Sequence, residues 1–190
     1  MGGMLFDEDD LPSLEASNDL EKVIRHEMAH VLGLGTVWTN LGLLQLPSDT
    51  STGGTRGNDT FFSGTEAMTA FNAIGGTGYA SNKVPVENDT LNYGSGSLDS
   101  HWRESVFSTE LMTPSLNPGV ANPVSKVTVQ SFKDMAYVVN SAGAETYVLP
   151  GPPPAAALRG QATLRLLNDV WRGPIFVVDE NGTVVGTLRR

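Results

Sequence analysis

The spacing of apolar residues near the start of the chain predicts one amphipathic helix, from about Asp19 to Leu32. Apolar side chains recur there every three or four residues, which places them on a single helical face. Asn18 is a suitable N-cap, and Glu21 lies three residues later, as a capping box requires. Gly33 and Gly35 follow the last apolar position and predict the end of the helix.

Short apolar runs elsewhere predict further small elements. A short strand is expected from Gly3 to Asp7, followed by an acidic turn that contains Pro12. A second helix is expected at Thr65–Ala73, capped by Thr65 or Ser63, and a third from Ser125 to Ala136. The mixture of helices and short strands predicts an α+β fold.

Polar and proline-rich stretches divide the chain. Residues 78–100 are rich in Gly, Ser, Asn and Asp and predict an extended surface insertion with little regular structure. Residues 150–157 form a Pro/Ala-rich linker between a main core at 1–149 and a small appendage at 158–190. Two apolar runs flank the turn sequence Asp179–Gly182, so the appendage is predicted to be a β-hairpin.

The composition excludes several classes of function. The chain has 190 residues and a formal net charge of -9, which argues against nucleic acid or an anionic membrane as a partner. No apolar run is long enough to predict a membrane span, and the acidic N-terminus does not resemble a signal peptide. Because the sequence contains no cysteine, disulfides, cysteine metal ligands and thiol nucleophiles are excluded.

The strongest chemical signal is the pentapeptide His-Glu-Met-Ala-His at residues 26–30, inside the first predicted helix. Residues i and i+4 share a helical face, so His26 and His30 are placed to bind one metal ion. Glu27 lies beside them, within reach of a water molecule on that metal. Two imidazoles with an adjacent carboxylate are the arrangement of a zinc hydrolase.

A third zinc ligand has two candidates. In the metzincin motif a third histidine follows the helix six residues after the second, but Thr36 occupies that position here. The only remaining histidine is His101, which lies shortly before a methionine-containing turn. Glu66, on the second predicted helix, is the rival, because some zinc peptidases take a glutamate from a second helix.

Three separated motifs resemble the leishmanolysin-like metallopeptidases, whose third ligand follows an insertion. The segment from His26 to Gly33 resembles their active-site helix, and the segment from His101 to Glu104 resembles their third-ligand segment. The segment from Glu110 to Pro114 resembles their Met-turn. The resemblance covers about Met4 to Val139. It implies a metzincin-like core with a long loop-rich insertion and a C-terminal helix, from which most of the upstream sheet is missing.

The resemblance also implies a function and a set of roles. We expect a monomeric zinc metalloendopeptidase, secreted or on the cell surface, that acts on proteins or peptides. Glu27 is the expected general base, while Gly33 and Met112 support the site without binding zinc. The expected zinc ligands are His26, His30 and His101. The alternative is a non-catalytic zinc-containing fragment or binding domain derived from such a peptidase.

Overall fold

The computed structural model describes residues 2–47, 59–79, 82–117, 119–150, 164–166, 169–170 and 173–188. Within these ranges the chain combines several helices with three small antiparallel sheets, so the expected α+β class is confirmed. The finer expectation of a metzincin-like core stays a prediction. None of the helices in the described ranges is long and apolar enough to cross a membrane.

The regular elements are short and are joined by many turns. The α-helices are α1 (Leu11–Ala16), α2 (Leu20–Val31), α3 (Thr65–Ala73), α4 (Thr90–Ser97), α5 (Glu104–Phe107) and α6 (Lys126–Asp134). The strands are β1 (Leu44–Gln45), β2 (Phe61–Phe62), β3 (Val84–Pro85), β4 (Ser115–Leu116), β5 (Leu164–Arg165), β6 (Ile175–Val178) and β7 (Val184–Leu188).

Strand pairing links distant parts of the chain. Strands β1, β2 and β3 form one antiparallel sheet in that order. Strand β5 pairs with β4, with Leu164 opposite Leu116, and so attaches the C-terminal part of the chain to the rest. Strands β6 and β7 form the hairpin expected around Asp179–Gly182, with Ile175 opposite Leu188. Of the predicted linker at 150–157, only Pro150 lies within the described residues.

The three helices predicted from apolar periodicity are confirmed, but their caps differ in part. Helix α2 begins after Asp19, and Asn18 adopts a positive φ of 59°, so the predicted Asn18 cap is wrong. Helix α3 has the predicted bounds, but its N-terminal amides donate to the carboxylate of Asp134 on α6, which is far away in sequence. The predicted cap of α6 is confirmed, because the Ser125 hydroxyl accepts from the Thr128 amide.

The strand predicted at residues 3–7 is wrong, whereas the acidic turn after it is present at residues 8–10. Residues 3–7 form no strand, and the Leu5 side chain is fully exposed. A strand needs a partner for its backbone groups, and none lies beside this segment among the described residues. The acidic turn leads instead into α1, where Pro12 occupies the first turn. Proline fits there because the first helical amides have no intrahelical acceptor.

The prediction of a surface insertion at 78–100 is also wrong for the residues described. This stretch contributes β3 and α4, and Val84, Val86 and Leu98 are completely buried. The polar residues in it serve internal contacts: the Asp89 carboxylate accepts from two amides at the start of α4. The insertion therefore packs as part of the core that leads to His101.

An aromatic core lies directly behind the predicted site residues. Trp38, Phe62, Trp102 and Phe107 are completely buried and in ring contact, with the Trp38 and Trp102 ring centres 4.9 Å apart. The Trp102 indole also donates to the Thr128 hydroxyl at 2.8 Å, which ties it to α6. Since Trp102 follows His101, these contacts fix the backbone that carries the third histidine.

Candidate metal centre

Helix α2 places two imidazoles side by side. His26 and His30 are one helical turn apart and buried, and their Nε2 atoms lie 3.0 Å from each other. The helix ends directly after them, with Gly33 at a φ of 113°. Thr36, which stands where a metzincin would have its third histidine, donates its hydroxyl to the His30 carbonyl at 3.0 Å. This side chain therefore stabilises the end of the helix.

His101 joins the pair from a distant part of the chain. It is completely buried, and its Nε2 lies 3.1 Å from the Nε2 atoms of both His26 and His30. The backbone on either side is held, because the His101 carbonyl accepts from the Glu87 amide and the Trp102 amide donates to the Met112 carbonyl. The structure therefore brings together all three histidines of the chain.

The other ring nitrogen of each histidine contacts a backbone carbonyl. His26 Nδ1 lies 2.7 Å from the Leu111 carbonyl oxygen, and His30 Nδ1 lies 2.9 Å from that of Leu34. His101 Nδ1 lies 2.9 Å from the Ser97 carbonyl oxygen. A carbonyl can only accept, so each Nδ1 carries a proton, and each ring in its neutral form directs an Nε2 lone pair to a common point.

Asp169 completes the cluster, and sequence reasoning missed it. Its Oδ2 lies 3.0 Å from His101 Nε2, 3.2 Å from His26 Nε2 and 4.0 Å from His30 Nε2. The four ligand atoms all lie within 4.8 Å of one another. An isolated aspartate far from the His-Glu-Met-Ala-His motif carries no sequence signal, because only the fold brings it to the histidines.

The buried Asp169 carboxylate favours a positive charge near the histidines. Burial opposes ionisation of Asp169, but the charge of His101 and hydrogen bonds from His101 and His26 hold the pKa of Asp169 well below its ordinary value. Burial likewise opposes a charge on His26, yet Asp169 outweighs it and raises the pKa of His26. Burial and the neighbouring imidazoles lower the pKa of His30. Protonation of the histidines thus balances the charge of Asp169 at some of the rings only, whereas a metal ion at the centre would interact with all four ligand atoms.

The donor set fits a divalent metal ion. Tetrahedral zinc, with ligand bonds of about 2.0–2.1 Å, separates its ligand atoms by roughly 3.3 Å. Five of the six separations in the cluster, from 3.0 to 3.2 Å, are close to this value, and only the one between Asp169 and His30 is longer. Imidazole nitrogen and carboxylate oxygen suit zinc and also other first-row divalent metals. The group can therefore hold one metal ion, whose identity the geometry leaves open.

Glu27 lies next to this cluster without belonging to it. Its side chain is half-buried on α2, and burial, the largest influence, raises its pKa to about 7. The charge of His26 acts in the opposite direction, and that of Asp169 adds to the increase. A carboxylate with a pKa near neutrality can both accept and return a proton at physiological pH.

Met112, one of the two predicted supporting residues, lies in a turn that is held by hydrogen bonds to Glu110. Met112 is completely buried, and its amide donates to the carboxylate of Glu110 at 2.5 Å. The same buried carboxylate accepts from the Ser125 amide and the Thr128 hydroxyl on the far side. The turn thus holds the Leu111 carbonyl against His26.

Glu66, the rival third ligand, lies outside the cluster. It sits on α3, where its carboxylate pairs with Lys133 of α6 at 2.8 Å, and its side chain is exposed. Among the described residues, the one group of side chains arranged to hold a metal is that of the three histidines and Asp169.

A cleft of about 1070 Å³ opens beside the cluster. Glu27 and His30 line it, together with Asp169 and Tyr137. The remaining lining is largely apolar and includes residues of the C-terminal hairpin: Ile175, Phe176, Val178, Val184 and Leu188. A cleft that combines an apolar lining with a few polar groups is the usual form of a ligand site.

No protein-family model, curated protein or solved structure matches this chain.

Proposed function

We propose that the chain is a zinc-dependent metalloendopeptidase of leishmanolysin type, with zinc held by His26, His30 and His101. The observation that carries the proposal is the convergence of three Nε2 atoms within 3.1 Å of one another, next to Glu27 and at the edge of a cleft. Three neutral imidazoles with an adjacent carboxylate support hydrolysis more than they support any other zinc chemistry.

Zinc, when bound, supplies the positive charge that activates water and polarises a peptide carbonyl. The chain supplies the remaining functions. Three carbonyl oxygens hold the imidazoles in the tautomer that binds metal. The carboxylate of Glu27 takes a proton from the attacking water and returns it to the nitrogen of the scissile bond. The apolar part of the cleft holds the side chains of the peptide and excludes bulk water.

Glu27→Gln tests the proposal. The variant keeps the size of the side chain but removes the base, so it should retain zinc while hydrolysis of a denatured protein substrate falls by about 10²–10⁴-fold. Glu21→Gln is the matched control, because Glu21 is an exposed carboxylate on the same helix. Measurable hydrolysis that is equal in the two variants would contradict the role of Glu27.

A non-catalytic metal-holding domain is the second candidate, and Asp169 favours it. Structural zinc sites are filled by four protein ligands, whereas catalytic ones keep a position for water. Asp169 Oδ2 lies where a fourth ligand would bind. The two candidates separate in Asp169→Ala, in which the peptidase gains hydrolytic activity and a purely structural site gains none. The Glu27 comparison is therefore also made in that background.

A further inference from the structure

We infer that Asp169 is a fourth protein ligand that closes the metal site and keeps water from the fourth coordination position. The inference rests on the proposed function for its regulatory meaning. Its structural content, a filled coordination position, stands on the geometry of Asp169 alone.

The burial of Asp169 argues that its carboxylate serves the metal. The side chain is only 6% exposed, and Oδ2 contacts two imidazole nitrogens at 3.0 and 3.2 Å. Its second oxygen, Oδ1, is buried and has no hydrogen-bond partner within the described part of the chain. A buried carboxylate so poorly hydrogen-bonded needs a cation close by, and the point where the imidazole lone pairs meet is the place for it.

The backbone before Asp169 is anchored to the segments that carry the other ligands. The Leu166 amide donates to the Pro114 carbonyl at 3.0 Å, directly after the methionine turn. The Ser97 hydroxyl donates to the Leu166 carbonyl at 3.1 Å, while the Ser97 carbonyl contacts His101. Val170, which follows Asp169, is 5% exposed. These contacts anchor the chain three residues before Asp169 to the segments that carry Met112 and His101.

The hairpin that follows Asp169 forms part of the wall of the cleft. Residues of β6 and β7 line the same cleft as Glu27 and His30. A carboxylate at the fourth position competes with water for the metal. Hydrolysis therefore requires Asp169 to leave the metal, and a chain that keeps it there is latent.

Cobalt replacement makes the coordination position visible without any assay of hydrolysis. Protein loaded with about one Co²⁺ per chain is titrated with acetohydroxamate, which binds a metal only where a position is open. We expect the visible spectrum of the wild type to be insensitive to acetohydroxamate. The spectra of Asp169→Ala and Asp169→Asn should change on addition, and zinc affinity should fall by roughly tenfold or more.

Glu180→Ala is the matched control, since it removes an exposed carboxylate from the hairpin that follows Asp169. This variant should behave as the wild type does in spectrum, affinity and hydrolysis. If Asp169 is on the metal in at least about nine chains of ten, its removal should raise hydrolysis by about tenfold or more. Asp169→Asn preserves the shape of the side chain, so agreement between the two Asp169 variants excludes misfolding as the cause.

Two outcomes would overturn the inference. Wild-type Co²⁺ protein that responds to acetohydroxamate as the Asp169 variants do would show that the position is already open. Wild-type protein that binds no metal would overturn both the inference and the proposed function. A different result separates the two failures. If only the spectra of the Asp169 variants respond to acetohydroxamate and none of the proteins shows hydrolysis, Asp169 is a fourth ligand and the peptidase proposal is wrong.

Discussion

Glu104 is a largely buried acid three residues after His101, and its surroundings favour the protonated form. Burial, the largest influence, raises its pKa to about 8, and the negative charge of Glu87 adds to the effect. A hydrogen bond with Thr113 acts in the opposite direction. Its Oε2 is buried and lacks a hydrogen-bond partner among the described residues. The folded protein therefore holds a proton on Glu104 that an unfolded chain releases above its ordinary pKa of 4.5.

This proton makes stability fall as the pH rises. Below about pH 4.5 both states are protonated and the contribution is complete; between 4.5 and 8 only the folded state keeps the proton, so the contribution is lost progressively. The slope from this one group is at most about 1.4 kcal/mol per pH unit. Glu104→Gln, which cannot titrate, should remove that slope. Urea unfolding of both proteins at pH 5.5 and 8, with a chelator present, measures the difference, and parallel stability curves would contradict it.

The residue scale is also where the sequence was most informative about the site. Helical spacing is local, so the pairing of His26 with His30 followed from their positions alone. His101 was predicted to be the third ligand because it lies shortly before the Met-turn at Glu110 to Pro114. The carbonyl acceptors that set the tautomers, such as Leu111, carry no such pattern, and neither does Asp169, the fourth residue of the cluster. A backbone carbonyl is present in every residue, and only the fold selects the one that is used.

At the scale of elements, His101 is held beside α2 by a backbone crossing, the close approach of Gly35 to Ser100. The loop after α2 passes so close to the Ser100 backbone that a Cβ on Gly35 would collide with the Ser100 carbonyl. Gly35 also has a φ of 70°, which disfavours any other residue. Gly42 has nearly the same φ, 69°, but a Cβ there meets nothing within 4 Å. Alanine substitutions at the two positions therefore separate the cost of backbone strain, which they share, from the cost of steric contact, which only Gly35 carries.

Gly35→Ala should therefore damage the metal site while Gly42→Ala should not. Both variants carry the cost of a left-handed alanine, about 1–2 kcal/mol. Only Gly35→Ala must also push Ser100 and His101 away from α2, so it should lose stability beyond the Gly42 variant and bind zinc more weakly. Chemical denaturation and zinc content of the two variants measure this. Equal zinc content at equal stability would mean that the crossing does not position His101.

Elements whose signal is local were predictable, and those that depend on a partner were not. The bounds of α3 follow from its own sequence, whereas its cap comes from Asp134 of α6, which no local pattern announces. The sequence around Pro12 was interpreted as a turn, although proline in a first helical turn equally starts a helix such as α1. A strand at residues 3–7 required a partner that the described residues do not provide.

On the scale of the whole molecule, the four residues of the candidate metal centre come from three stretches that are far apart in sequence. His26 and His30 belong to α2, His101 follows the long segment that contains β3 and α4, and Asp169 follows β5. The polar composition of residues 78–100 suggested exposure, but their apolar minority is what packs against the core. Composition averages over a segment, while burial is decided residue by residue. A bound metal ion would join all three stretches.

Removing the metal should therefore lower the thermal stability of the whole molecule. An ion that binds only the folded chain stabilises it by about 4 kcal/mol at a free concentration of 1,000 Kd, which corresponds to roughly 10 °C in Tm for a domain of this size. Calorimetry with zinc or with a chelator should show this difference in the wild type. His101→Ala should lose most of it, because two helical imidazoles and Asp169 bind more weakly than the full set. The comparison is made within each variant, so any stability lost by the substitution itself cancels. A zinc-dependent increase in Tm that is equal in the wild type and His101→Ala would mean that His101 does not bind the metal, and the long segment before it would then have no part in forming the site.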